Sequence, residues 1–112
     1  MHNDIQLLLS EEVNAERQEI GYETDCLLIY DKLIRKQKYV LNSLREIAGI
    51  RIVTVISPTE PRGESQVVGI RLKYTPSREQ TLLSYTAFLK RSILSTNGVL
   101  QVRFLHTTKV KL

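Results

Sequence analysis

The spacing of apolar positions changes along this chain, and each change marks an element. Ile5, Leu8, Leu9 and Val13 recur at helical spacing behind Asn3 or Asp4, either of which can cap a helix. Glu11, Glu12, Glu16 and Glu19 take the opposite face, and Gly21 stops the run. Thr24 to Asp31 is apolar on both faces through Cys26-Leu27-Leu28-Ile29-Tyr30, the pattern of a central buried strand. From Leu33 the period becomes helical. Leu33, Ile34, Val40, Leu41, Leu44 and Ile47 share one side, Arg35, Lys36, Lys38, Arg45 and Glu46 face out, and Gly49 stands where a helix C′ residue belongs. Ile50, Ile52 and Ile56 then alternate with Arg51, Val53 and Val55, predicting a strand to about Ser57.

Pro58-Thr59-Glu60-Pro61-Arg62-Gly63-Glu64-Ser65 predicts a loop. Val67 to Tyr74 alternates again, with Val68, Ile70, Leu72 and Tyr74 on one face and Arg71 and Lys73 on the other, which completes a long-looped hairpin. Pro76-Ser77 opens a second helix, where Ser77 and Gln80 have capping-box spacing. Leu82, Leu83, Phe88, Leu89 and Ile93 form its apolar side, and Asn97-Gly98 ends it. The last strand puts Leu100, Val102, Phe104, Val110 and Leu112 on even positions and Gln101, Arg103, Lys109 and Lys111 on odd ones.

The expected order is a helix followed by β-α-β-β-α-β. With right-handed crossovers that order packs both later helices on one face of a four-stranded antiparallel sheet, an α+β ferredoxin-like fold with the first and third strands central. Residues 1–23 form an acidic helical segment and residues 24–112 the ferredoxin-like domain. The expected core is Leu28, Leu44, Ile52, Ile70, Phe88 and Val102. The face away from the helices should display Leu27, Ile29, Val53, Val55 and Leu105, rimmed by Arg71, Lys73 and Arg103. So large an apolar surface calls for a cover, either the segment bearing Ile5, Leu8, Leu9 and Val13 or another chain.

Charge sharpens this picture. The net charge of +4 divides unevenly: residues 1–23 hold six acids and one base, net −5, while residues 24–112 hold fifteen bases and six acids, net +9. A division of this size predicts a partner of opposite sign, on this chain or another. Length and composition (112 residues, 42% apolar, 25% charged) suit one soluble domain that needs no disulfide or metal staple. No apolar run approaches the roughly 20 residues of a membrane span, and no signal peptide is visible. The single Cys26 excludes an internal disulfide and fits a reducing compartment, virion or cytoplasm.

Candidate chemistry is sparse. A structural zinc site has too few soft ligands in Cys26, His2 and His106. His106 has no acid or nucleophile within sequence reach. Gly63 and Gly69 do not make a phosphate loop, and Gly69 reads as a bulge or a close backbone approach. Base stacking on an open sheet face needs aromatics on its central strands, where Leu27, Ile29, Arg71 and Lys73 stand instead; Tyr30 and Tyr74 fall on the core side. No catalytic, cofactor or metal site and no small-molecule substrate is expected.

The step Ile47-Ala48-Gly49-Ile50-Arg51-Ile52-Val53 resembles the helix-to-strand handover of ACT-type regulatory domains, over roughly residues 24–105. That resemblance implies ligand binding at a subunit interface, near a glycine-bearing loop after the first strand; Tyr30-Asp31-Lys32-Leu33 carries no such glycine. The acidic start, with Ser-Leu-Arg-Glu-Ile-Ala-Gly-Ile at 43–50 and Phe-Leu-Lys-Arg-Ser-Ile-Leu at 88–94, also resembles small virion proteins of tailed bacteriophages. It implies a non-enzymatic assembly role, with other protein chains as partners in a homo-oligomer or a virion and no membrane. The alternative is a small cytoplasmic binding module, either ACT-like and ligand-responsive or contacting nucleic acid non-specifically through its bases.

Overall fold

A computed structural model describes residues 20–77 and 79–112. The expected N-terminal helix, with Ile5, Leu8, Leu9 and Val13, lies outside these residues. The elements run β1 (Ile20–Tyr30), α1 (Gln37–Arg45), β2 (Ile50–Val55), β3 (Glu60–Arg62), β4 (Ser65–Tyr74), α2 (Leu82–Leu94) and β5 (Val99–Lys111). Among the described residues the architecture is α+β: two helices and an open antiparallel sheet, loosely compatible with a ferredoxin-like module. The sheet has the order β2-β4-β1-β5, with β3 paired to β4 beyond β2. Five strands form among the described residues where four were expected.

The additional strand comes from the segment read as loop. Glu60, Pro61 and Arg62 pair with Val67, Gln66 and Ser65, leaving Gly63-Glu64 as a two-residue turn. Gly63 has φ +64° at the first central position, as a type II′ hairpin requires. A strand this short has no alternation to read, and its proline fits because the strand lies at the sheet edge.

β1 starts at Ile20, so Gly21, Tyr22 and Glu23 belong to the sheet rather than to an N-terminal segment ending at residue 23. Gly21 does not end a helix here. It pairs with Val110, and a Cβ there would run into Leu112 and the Tyr74 carbonyl.

The core lies between one sheet face and both helices. Cys26, Leu28 and Tyr30 of β1, Val68, Ile70, Leu72 and Tyr74 of β4, Val53 of β2 and Val102 of β5 meet Val40, Leu41 and Leu44 of α1 and Tyr85, Leu89 and Ile93 of α2. Leu28, Leu44, Ile70 and Val102 are buried as expected, and Phe88 packs at the margin. Ile52 is the exception, 46% exposed while Val53 is 5% exposed. The cause is an irregularity in β2: Ile50 pairs with Tyr74 but Ile52 with Lys73, so Arg51 is the extra residue. Because side chains alternate sides, one inserted residue exchanges the faces of everything beyond it.

Both helices are shorter than their periodic patterns. Asp31 turns the chain after β1, its Oδ1 accepting from Leu33 N (2.8 Å) and its carbonyl from Ile34 N and Arg35 N. α1 therefore begins only at Gln37, and Leu33 and Ile34 stand outside it. α2 begins at Leu82 under Thr81, whose hydroxyl accepts from Ser84 N (3.1 Å). Ser77 and Gln80 form a separate turn ahead of it, and Leu83 points into solvent at 83% exposure.

Candidate functional site: the sheet face away from the helices

The unhelical face is built from the odd positions of β1 and β4. Leu27 pairs with Gly69 on one side and Arg103 on the other, and Ile29 with Val67 and Gln101. Beside them, across β4, Lys73 meets Ile52 and Arg71 meets Thr54 of β2. Leu27, Ile29 and Val67 are half-buried, and no described helix lies over them. Gly69 is where the sheet is crowded from the edge: its N–H donates to Ser57 Oγ at 2.7 Å, and a Cβ would collide with that hydroxyl.

Leu27, Ile29, Arg71, Lys73 and Arg103 share this face, as their alternation predicts. Val53 and Val55 do not, because the extra residue in β2 turns them to the helix side, opposite Leu72 and Ile70; Ile52 and Thr54 replace them. Leu105 is 51% exposed and falls in a second irregularity, where the register passes from Asp25–His106 to Cys26–Phe104. Ile5, Leu8, Leu9 and Val13 lie outside the described residues.

The basic rim is answered from within the chain. Arg71 Nε donates to Asp25 Oδ1 at 2.8 Å and Nη2 to Asp25 Oδ2 at 3.1 Å. Glu23 Oε1 stands 3.0 Å from the same Nε, and Glu23 Oε2 is 3.8 Å from Lys73 Nζ. His106 Nε2 approaches Asp25 Oδ2 at 3.7 Å. Asp25 is only 8% exposed, and the Arg71 hydrogen bonds hold its carboxyl below the usual range against the opposing effect of its burial. Asp25, Glu23 and His106 escape a reading by hydrophobic pattern, since Glu23 counts there with the acidic N-terminal run. The signal that finds them is the paired spacing Glu23-x-Asp25 and Arg71-x-Lys73 on adjacent antiparallel strands.

Apart from this face, a half-open cleft of about 210 Å³ lies between the Ala48-Gly49 turn and the start of α2, lined by Thr75, Ser77, Gln80, Tyr85 and Phe88. Tyr85 donates to the Ala48 carbonyl at 2.9 Å, and burial pushes its phenol up to about 12. The described lining carries no charged group and no nucleophile–base pair. Cys26 is fully buried, its thiol pushed up to about 12 chiefly by burial. Among the described residues no group of three His, Cys, Asp or Glu converges on a metal position. None of their helices is long and apolar enough to cross a membrane. No protein-family model, no curated protein and no solved structure matches the chain.

Proposed function

We propose that this chain is a non-enzymatic assembly protein, of the kind that builds tailed-phage virions, working through protein–protein contacts on the unhelical face of its sheet. The observation that carries the reading is one-sided packing. Both described helices cover the same face, while Leu27, Ile29, Val67 and Ile52 lie on the other, where no described helix packs.

The charge network beside them suits a contact surface. Arg71 and Lys73, already paired with Asp25 and Glu23, present a near-neutral border that a protein partner can dry without stranding a charge. Apolar area then supplies most of the attraction, at roughly 25 cal/mol per Å². Nucleic acid would meet a weaker site, because two of the bases facing it are held by carboxylates.

The experiment is light scattering of the purified chain with two variants. Ile29→Asp should abolish association by burying an unpaired carboxylate at the centre of the contact, and Arg103→Gln should cause a smaller, salt-dependent loss. The reverse ranking would identify a nucleic-acid binder. Association indifferent to both would remove the sheet face from the mechanism.

A further inference from the structure

The turn after β1 carries an apolar tip inside a cationic collar. Leu33 is 82% exposed and Ile34 53%. Lys32, Arg35, Lys36 and Lys38 flank them against the single acid Asp31. The backbone here is held firmly. Besides its bonds to Leu33, Ile34 and Arg35, Asp31 donates its own N–H to the Gly98 carbonyl at 2.9 Å. Gly98 in turn lies against Arg35, with no room for a Cβ between them. Two aliphatic side chains are thus presented to water on a fixed turn, where burial by a partner is favourable.

The complement of this tip is a segment with an apolar stripe and a surplus of carboxylates. The chain contains one. Residues 1–19 carry Ile5, Leu8, Leu9 and Val13, with Asp4, Glu11, Glu12, Glu16 and Glu19 against Arg17 alone. That segment joins the body at Ile20, the start of β1, and the cationic turn follows Tyr30, at the other end of the same strand. At about 3.3 Å per residue, β1 holds the two roughly 35 Å apart. The segment and the turn thus belong to opposite ends of the body, and a second copy presents the same exposed Leu33 and Ile34 to the segment.

We propose that the acidic segment 1–19 of one copy docks on the Lys32–Lys36 turn of the next, a heterologous head-to-tail contact. Such contacts close into a ring or extend as a filament, according to the rotation between copies. The inference rests on the assembly reading and deepens it, by naming a second copy of this chain as a partner and giving the contact a direction. Lys109 and Lys111, paired with Tyr22 and Ile20 beside the point of attachment, are the competing intramolecular site.

A charge exchange in the full-length chain tests it, read by sedimentation velocity over a range of concentrations at low salt. The pair Lys32→Glu with Lys36→Glu should weaken self-association by roughly tenfold or more, and so should Glu12→Lys with Glu16→Lys. Combining all four should restore it, and mixing the two reversed chains should give hetero-association in which the two alternate. Lys32 and Lys36 are exposed, so thermal melting of the turn variant should match the parent. Recovery in the combined chain establishes the contact; failure to recover overturns it. Association that survives both reversals but is lost in Ile29→Asp overturns this inference and leaves the assembly reading standing. A parent chain that stays monomeric overturns it too, whether it binds phosphatidylserine vesicles through the turn or shows a lowered melting temperature on tail reversal, the sign of an intramolecular contact.

Discussion

Arg71 closes on Asp25 through two hydrogen bonds of 2.8 and 3.1 Å, joining the two central strands on the face that no described helix covers. Asp25 is nearly buried there, so its charge depends on that guanidinium. Arg71→Met should raise the Asp25 titration midpoint toward and past the ordinary carboxylate value, followed through its side-chain carboxyl shift by NMR. An unmoved midpoint would assign the lowered pKa to something other than Arg71.

The same pair sets the acid sensitivity of the fold. The Asp25 pKa is lower in the folded chain than unfolded, so its contribution is complete above the unfolded value and is lost as pH falls through the folded one. Thermal stability should therefore drop on acidification below about pH 4, and the drop should be smaller in Asp25→Asn. Equal acid sensitivity in parent and variant would remove Asp25 from the account.

The irregularity in β2 makes a paired prediction. Val53→Asp places a carboxylate under the helices and should prevent stable folding, whereas Ile52→Asp, one residue earlier, should leave a cooperative melt. Reversed outcomes would restore the simple alternation of Ile50, Ile52 and Ile56 toward the core.

Leu44 is fully buried where α1 meets the sheet, and Leu44→Ala should cost about 2–5 kcal/mol in chemical denaturation. A midpoint that does not shift would contradict the packing of α1 on β2.

Gly49 has φ +94°, and a Cβ there would meet the Tyr85 ring. Gly49→Ala should destabilise the chain through both backbone strain and displacement of Tyr85 from the Ala48 carbonyl. Tyr85→Phe should cost less, about 1 kcal/mol, since only the hydrogen bond is lost. If the two variants melt alike, the ring contact at Gly49 carries no weight.

Local pattern was enough for the helix–strand succession after residue 24, for the core sides of β1 and β4, and for a glycine turn at Gly49 ahead of β2, although α1 itself ends at Arg45. Those features follow from periodicity and from single-residue backbone preferences, which act within one element. Other features were settled only by contacts between elements. Strand β3 forms because β4 offers it an edge, although its own residues lack any alternation. Val53 rather than Ile52 enters the core because pairing with β4 absorbs Arg51 as an extra residue, and sequence alternation cannot reveal a register shift. Leu33 and Ile34 fit the apolar stripe of α1 by spacing, yet the Asp31 turn, anchored on Gly98 from the far end of the chain, leaves both in water. Arg71 and Lys73 look like free cations until β1 and β4 pair and bring Glu23 and Asp25 beside them. Periodicity states which side of an element is apolar; register and long-range hydrogen bonds decide which way that side faces and which charges find a partner.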